Sequence, residues 1–494
     1  MSLKILQELS SVVTKDVKKD LFKSTKKGSK TDQLIKTIVS DGSIDEEALS
    51  AKIYSNSLTG RSFDMLKSRA KEQLINAIFQ LDTKKRFKSS FDRAYYTACK
   101  ELLAGLILLR QNRENAGLQL IKHSLQISKK HYFTEFTFQS LKILRYFSSF
   151  SGSRINFRNY NKQLEETLNV LKIESMSDQL NQQIILHFGS SAASQIDLDI
   201  FLKKCYEKAQ TLNQECDTYS TRMNMYRIGI HYFDSIKKYE NLIMLAEKCE
   251  QYLNRNPHLI QKVRIGEMNL NKLYGSLHLR NLKDGIKYAQ KCESLFNYGS
   301  LNFLIFNEYY FLLCLHTNEP QRAESIYYSV IQHSGFSNYP QRSIEKWKIF
   351  EAFLHYTLPE SNDKNKKFNT ARFVNEVPIF SKDKAGYNFS IIIAQIILLI
   401  KNKDYESVVM RSDSLKLYAA RYIKKEKSPR SYYFLKMLQV MIKYDFDPVK
   451  TEKIAAKFFD KLKATRLGEQ NELETLEVIP YDLLWPKLLD QLRN

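Results

Sequence analysis

The chain has 494 residues and a formal net charge of +22, from 76 Lys and Arg against 54 Asp and Glu. It contains only 15 glycines and 9 prolines. An all-β sandwich or barrel needs a turn about every 8–12 residues, so this scarcity of turn residues argues against such folds and predicts long helices. Because 43% of the residues are hydrophobic and 12% aromatic, the chain can build a sizeable core, which excludes wholesale disorder.

Three features of the sequence predict a cytoplasmic protein. The N-terminus has no apolar segment of signal-peptide length and no small-residue cleavage site. The longest apolar stretch, residues 389–400, is shorter than the roughly 18–20 residues that cross a bilayer, and Gln395 interrupts it, so it predicts a buried helix. The six cysteines lie far apart without a CxxC pair and are expected to be reduced core residues. We therefore expect no contact with a membrane.

Composition and hydrophobic pattern divide the chain into four zones. Residues 1–85 predict a basic helical head, and residues 86–356 predict a run of antiparallel helical hairpins. Residues 357–385 predict a polar, Lys-rich loop that is long enough to be mobile or to hold a partner. Residues 386–494 predict further hairpins. The expected fold is therefore all-α, an α-solenoid of antiparallel hairpins with a small helical head at its N-terminus.

The predicted hairpins share one layout: an apolar helix A, a short polar turn, and a helix B with small or apolar residues three or four apart. A small residue where A and B cross lets the two backbones approach. The bulky residue just before helix B (Tyr239, Leu282 or Tyr405) is expected to wedge between the helices of its own hairpin. The small residues expected at helix crossings are Gly105, Gly117, Gly285, Ala289 and Ala323.

This layout resembles the tetratricopeptide repeat, which has Gly or another small residue at its eighth and twentieth positions. The matching residues are Gly105, Gly117, Gly285 and Ala323. The family's Trp at the fourth position is missing, and its closing Pro is mostly missing. The intervals from Tyr239 to Leu282 and from Leu282 to Pro320 are 43 and 38 residues, whereas the family repeats about every 34. Related helical-repeat classes and an irregular helical bundle therefore remain open.

The head combines a lysine-rich segment with two short helices. Residues 10–30 are interpreted either as a solvated helix face and linker or as a phosphate-binding strip. Ser43 and Glu46 match a capping box, and a second helix starts at Arg61. The residues of this helix expected to face inward are Phe63, Leu66, Ala70 and Leu74. The candidate nucleic-acid contacts are Lys18, Lys19, Lys26 and Lys27 in the segment, and Arg61, Lys67, Arg69 and Lys71 on the exposed face of the second helix.

This order of helix, turn and helix looks like the small DNA-binding heads of some bacterial regulators. The turn of about six residues exceeds the usual 3–4, and no wing strands follow. Two interpretations remain open, a DNA-reading head and a structural or dimerisation element. A structural head is expected to bury residues 61–71 against residues 95–109, whereas a DNA-reading head leaves its basic face in water. We expect burial.

The sequence carries no motif for catalysis, metal binding or cofactor binding. The nine histidines form neither HExxH nor HxH, and Gly28–Thr31 lacks the GxxxxGK order of a phosphate loop. The Asp-x-Asp pairs at residues 197–199 and 445–447 do not continue into a calcium loop. Histidines such as His231 and His278 are expected to be core residues rather than ligands, because a site needs converging groups.

The first functional hypothesis is a non-enzymatic cytosolic scaffold or adaptor that binds a protein or peptide along the groove of a helical-repeat array. The chain is basic, so the expected partner is acidic. The second hypothesis is a nucleic-acid-associated protein that contacts DNA through the head or RNA through a basic helical surface. A continuous basic face favours nucleic acid, whereas dispersed charge around an apolar groove favours a protein partner.

Overall fold

The described residues form α-helices joined by short connections and contain no β-strand. The computed structural model describes residues 3–12, 29–40, 44–54, 60–80, 82–189, 195–358, 368–370, 373, 387–423, 425, 428–465, 467 and 477–493. Consecutive helices pack against each other in pairs, so the prediction of an all-α chain is confirmed. The chain divides into two compact units, residues 1–171 and 172–494.

Unit 1 holds two groups of helices with separate cores. Its helices are α1 (Leu3–Val12), α2 (Lys30–Ser40), α3 (Glu46–Tyr54), α4 (Arg61–Ile78), α5 (Thr83–Arg86), α6 (Ser90–Arg110), α7 (Glu114–His131), α8 (Thr134–Phe150) and the first half of α9 (Arg154–Gly189). The four head helices α1–α4 enclose Leu, Ile and Ala side chains together with Phe63. A second core joins Leu102, Ile121 and Leu141 across the helices that come after the head. The head thus has a hydrophobic core of its own.

Unit 2 holds the remaining helices, most of which share one large core. Its helices are the second half of α9, α10 (Gln195–Glu215), α11 (Tyr219–Ser235), α12 (Tyr239–Arg255), α13 (Lys262–His278), α14 (Leu282–Leu295), α15 (Leu301–His316), α16 (Pro320–Ile331), α17 (Gln341–Thr357), α18 (Tyr387–Lys401), α19 (Tyr405–Tyr422), α20 (Pro429–Lys443), α21 (Pro448–Ala464) and α22 (Tyr481–Arg493). The largest core extends from Leu273 to Leu489. The apolar stretch 389–400 lies in it as part of α18, so the prediction of a buried helix there is confirmed.

The turns between paired helices repeat one backbone geometry. In each, a residue just after helix A has positive φ, and the next amide N–H donates to the carbonyl five residues before it, which satisfies the helix end. The left-handed residues are Asn112, Gly152, Lys237, Arg280, Asn318, Lys403 and Asp445, and Tyr132 adopts the same conformation after α7. The corresponding hydrogen bonds measure 2.8–3.2 Å, for example 2.9 Å from Asn281 N to Ser276 O. The interval between turns is 43 residues from Lys237 to Arg280 and 38 from there to Asn318.

Two glycines let the helix backbones approach closely at one crossing in unit 1. A Cβ added to Gly105 would lie 2.8 Å from Ile121 Cδ1 and 3.0 Å from the carbonyl oxygen of Gly117. A Cβ added to Gly117 would lie 3.0 Å from the carbonyl oxygen of Gly105. The two glycines therefore face each other where α6 crosses α7. In unit 2, Gly285 faces Leu313 of the next hairpin, while Ala289 and Ala323 are buried.

The two tyrosines at the start of a helix B stack on side chains of the following hairpin. Tyr239 stacks on His278 at the end of α13, with ring centroids 4.2 Å apart. Tyr405 stacks on Phe446 in the turn after α20 at 4.4 Å. Tyr239 also belongs to a buried cluster with Tyr226 and Ile230 of α11, the other helix of its own hairpin. These tyrosines therefore connect neighbouring hairpins, and the expected wedge within each hairpin stays a prediction.

A buried ion network joins α22 to the earlier helices of unit 2. The guanidinium of Arg430, 2% exposed, donates to Glu477 at 2.8 and 2.9 Å and to Asp482 at 2.6 Å. Asp482 also accepts two hydrogen bonds from Arg280, in the turn between α13 and α14, at 2.8 and 3.0 Å. His316 Nε2 lies 2.9 Å from the carbonyl oxygen of Glu477, to which a neutral imidazole donates. Helix α22 is thereby fixed against a turn 202 positions earlier in the chain.

We predict that Ala323→Leu destabilises unit 2 by about 1–3 kcal/mol, because the added methylenes enter a filled core. Ala323 is fully buried on α16, whereas Ala116 on α7 is exposed. The matched change Ala116→Leu is therefore expected to stay within about 0.5 kcal/mol of wild type. Urea unfolding followed by circular dichroism measures both, and equal effects would contradict the proposed packing of residue 323.

A second prediction concerns pH. Burial lowers the pKa of His316 to about 4, below its ordinary value of 6.5. The unfolded chain therefore binds this proton at a higher pH than the folded chain, and stability falls as pH drops from about 6.5 toward 4. We expect a loss of about 1–2 kcal/mol between pH 8 and pH 5 from this residue.

His316→Gln keeps a donor for the Glu477 carbonyl and cannot titrate, so its unfolding free energy should depend less on pH. His123→Gln, on an exposed histidine of unit 1, is the matched control. Urea unfolding at pH 5 and pH 8 compares the three proteins. If the unfolding free energies of wild type and His316→Gln changed equally between pH 8 and pH 5, the histidine would not be held neutral in the folded chain.

Candidate functional site

A groove with apolar walls lies on unit 1 between α6 and α8, and α9 contributes Phe157 to it. Its cavity measures about 740 Å³. We call it the apolar groove. It is lined by Leu106, Leu109, Arg110, Gln139, Lys142, Ile143, Arg145, Tyr146, Phe147, Ser149 and Phe157.

The sequences of α6 and α8 explain why apolar side chains reach this surface. Residues 102–109 of α6 are apolar or small on every side of the helix, but only one side is buried. Such a helix carries more apolar surface than one neighbouring helix can cover. On α8, Tyr146 is 58% exposed and Phe150 is 73% exposed. Clusters of large exposed apolar side chains of this kind mark interaction surfaces.

The charge of the apolar groove has one sign. Of the eleven described residues that line it, Arg110, Lys142 and Arg145 are basic and none is acidic. Arg145 Nη1 donates to Asn161 Oδ1 at 2.8 Å, which restrains its guanidinium. Apolar walls surrounded by cations complement a segment that carries both apolar side chains and carboxylates.

This groove was not predicted from the sequence. Gly105, which the repeat pattern singled out, faces α7 on the other side of α6. One signal was present in the uninterrupted apolar run of residues 102–109, because a helix paired on one side leaves such a run partly uncovered. The α8 residues that line the groove opposite this apolar run carried no such signal, because their contacts depend on how neighbouring hairpins stack.

The head presents fewer basic side chains than predicted. Arg61, Arg69 and Lys71 are exposed on α4, but Lys67 is 3% exposed, so the expectation that it faces solvent is wrong. Its ammonium forms ion pairs with Glu46 of α3 and, at 2.9 Å, with Asp64. These carboxylates raise the pKa of Lys67 despite its burial, which acts in the opposite direction. Lys67 thus joins two helices of the head.

The expected burial of residues 61–71 against residues 95–109 is also wrong for the three exposed cations. Helix α4 packs on α1 and α2, and its link toward α6 is a 3.0 Å hydrogen bond from Tyr96 Oη to Ile78 O. Lys18, Lys19, Lys26 and Lys27, as well as Ser43 of the predicted capping box and nearly all of the polar loop 357–385, lie outside the described residues.

The buried histidines of unit 2 lie among aromatic and charged side chains. The ring of His278 stacks on that of Tyr239, with centroids 4.2 Å apart, and meets the ring of Tyr274 edge-on at 4.5 Å; burial lowers its pKa to about 3. Burial also lowers the pKa of His231. Nearby, Tyr274 Oη donates to Asp234 at 3.1 Å. Within the described part of the chain, no three His, Cys, Asp or Glu side chains converge as metal ligands do.

Comparison with known protein families, curated proteins and solved structures gives no match to this chain. Among the helices that the structure describes, none has the length and hydropathy required to cross a bilayer.

We predict that Lys67→Ala loosens the head, because it removes a buried side chain and leaves Glu46 without its partner. We expect a loss of about 1–3 kcal/mol. The triple change of Arg61, Arg69 and Lys71 to Ala should cost no more than about 0.5 kcal/mol per residue, since these side chains are exposed. Hydrogen–deuterium exchange of α1–α4 measures both variants, and unchanged protection in Lys67→Ala would contradict the structural role.

Proposed function

We propose that this chain is a non-enzymatic cytosolic scaffold or adaptor whose apolar groove binds an acidic, apolar segment of a partner protein. The observation that carries the proposal is the combination of large exposed apolar side chains with three cations and no acid in one groove of about 740 Å³. An occupant covers the apolar side chains, and its carboxylates meet Arg110, Lys142 and Arg145.

The arrangement of the helices supports the proposal that the binding surface belongs to a repeat array. Contacts join consecutive helices, and they also join the first helices of neighbouring hairpins, α6 with α8 and α13 with α15. In a solenoid each repeat contacts its neighbours in this way, and the stack provides an extended binding surface. The turn intervals of 38 and 43 residues exceed the roughly 34 of the tetratricopeptide repeat and approach the roughly 40–47 of HEAT and armadillo repeats. We therefore propose a tetratricopeptide-like solenoid with longer hairpins.

The cysteines support the cytosolic part of the proposal. All six are unpaired thiols, and four of them are buried. Burial raises the pKa of Cys249, Cys292 and Cys314 to about 12, so these thiols are protonated and unreactive near neutral pH. Thiols that serve as core residues are typical of a reducing compartment.

The alternative function is nucleic-acid association through the head. The exposed side chains of Arg61, Arg69 and Lys71 favour it, since cations on one helix attract phosphate without regard to sequence. The burial of Lys67 counts against the nucleic-acid alternative, because it leaves α4 with three exposed cations of the four that were predicted. The apolar groove therefore supports the protein-binding proposal more strongly than the head supports the nucleic-acid alternative.

A synthetic peptide tests the groove directly. The probe is a fluorescein-labelled 18-residue amphipathic peptide with Leu and Phe on one face and Glu on its flanks, and fluorescence anisotropy measures its binding to the full chain. We predict saturable binding that Arg110→Glu combined with Lys142→Glu weakens about tenfold, since charge complementarity becomes repulsion. The control Lys122→Glu combined with Lys130→Glu changes the net charge equally on exposed positions of α7, outside the groove lining.

Three outcomes separate the hypotheses. A loss of binding in the groove variant alone supports the proposal. Equal losses in both variants indicate attraction by net charge and contradict a groove site. A gel shift with DNA or RNA at about 50 mM salt that disappears by about 200 mM, without peptide binding, replaces the proposal by the nucleic-acid alternative.

A further inference from the structure

A second cavity lies in unit 2, between α14 and α16 and above one face of α15. It measures about 570 Å³. We call it the aromatic pocket, and the residues that determine its chemistry are Glu293, Tyr298, Phe303, Phe306, Asn307, Tyr310, Glu319 and Arg322. None of them belongs to the apolar groove, so a ligand of this pocket is independent of the proposed function.

Aromatic rings line one side of this pocket: Phe303 and Phe306 are nearly buried, Tyr310 is half-buried and Tyr298 is exposed. Phe303, Phe306 and Tyr310 are spaced three and four residues apart, so they lie along one face of α15. The rings of Phe303 and Phe306 are 5.3 Å apart and nearly perpendicular, at 87°. The exposed ring of Tyr298 lies 4.3 Å from that of Phe303. A cation over the face of such rings, within about 6 Å, is attracted by their quadrupole.

The aromatic pocket contains several hydrogen-bond acceptors beside the donors of Gln290, Gln321 and Arg322. Glu293 on α14 and Glu319 at the start of α16 supply two carboxylates. Asn307 is 5% exposed, and its Nδ2 donates to Phe303 O at 2.8 Å, so its carbonyl oxygen is the atom left to accept. The hydroxyls of Ser325 and Ser329 likewise donate to carbonyls of their own helix. A ligand that donates hydrogen bonds therefore complements this pocket.

The charge of the aromatic pocket is opposite to that of the whole chain. Its one cation among the described lining residues, Arg322, donates to Tyr310 Oη at 3.2 Å and is thereby held to one wall. Burial chiefly raises the pKa of Tyr310, and Glu293 raises it further, which places this carboxylate within electrostatic reach of the phenol. Two carboxylates against one guanidinium leave the lining at −1 in a chain of net charge +22.

From these observations we infer that the aromatic pocket binds a primary alkylammonium group. Its methylene stem lies against the rings, its charge faces Glu293 and Glu319, and its N–H donors meet the carboxylates and the carbonyl oxygen of Asn307. Two sources carry this chemistry, a free polyamine and the lysine side chain of a peptide segment. Both are positively charged, so the two carboxylates of the pocket attract them, although the net charge of +22 opposes their approach to the chain as a whole.

Isothermal titration calorimetry of the full chain at about 50 mM salt tests the inference with two probes. One is spermidine, and the other is the tripeptide acetyl-Gly-Lys-Gly-amide. We expect one saturable site for at least one probe. Glu293→Gln combined with Glu319→Gln should weaken binding about tenfold, because it removes both charges while keeping the side-chain shapes.

The matched control is Glu240→Gln combined with Glu406→Gln, two exposed acids at the starts of α12 and α19. It should bind both probes as the wild type does. Binding of spermidine alone assigns the pocket to polyamines, and binding of the tripeptide assigns it to lysine side chains. The inference is overturned if neither probe saturates, if the pocket variant binds as tightly as wild type, or if the Nε-acetylated tripeptide binds equally well.

Discussion

The hairpins of this protein depend on one constraint, the left-handed residue at the end of helix A. For a side chain other than glycine this conformation costs about 1–2 kcal/mol, and the hydrogen bond from the next amide to the carbonyl five residues earlier offsets that cost. The geometry reverses the chain within about three residues and sets helix B against helix A. Only then do Gly105 and Gly117 meet, so the close crossing of α6 and α7 is a consequence of the turn.

The same constraint determines which side chains remain for binding. Once the turn has fixed one face of helix A against helix B, a helix that is apolar on every side exposes its other face, as α6 does along the apolar groove. On α15 the aromatic face is largely covered, with Phe303 and Phe306 nearly buried, and the aromatic pocket lies at its edge, where neighbouring helices place Glu293 and Glu319. The two cavities therefore differ both in how much apolar surface they expose and in the charges around them.

Lysines and arginines in this chain serve two distinct purposes, which the net charge of +22 does not distinguish. Lys67 and Lys272 are almost fully buried and pair with Glu46 and Glu250, and Arg430 joins α20 to the chain end. Removing Arg430 would leave the fully buried carboxylate of Glu477 without compensation. Arg110 and Lys142 lie in a surface groove instead. The helical period places Lys67 on the face of Phe63, Ala70 and Leu74, but its charge predicted exposure, because nothing within α4 reveals that Glu46 of α3 pairs with it.

Composition and spacing within one or two helices were enough to predict the all-α class, the buried apolar stretch of α18 and the small residues of the hairpins. Tertiary packing was needed to establish which hairpin Tyr239 and Tyr405 contact, which lysine of α4 is buried, and where the apolar groove and the aromatic pocket lie. Each of these depends on side chains that neighbouring helices bring together, such as Tyr146 beside Leu106 or Glu293 beside Tyr310. A helical period identifies the faces of one helix, but the stacking of hairpins selects which face is covered.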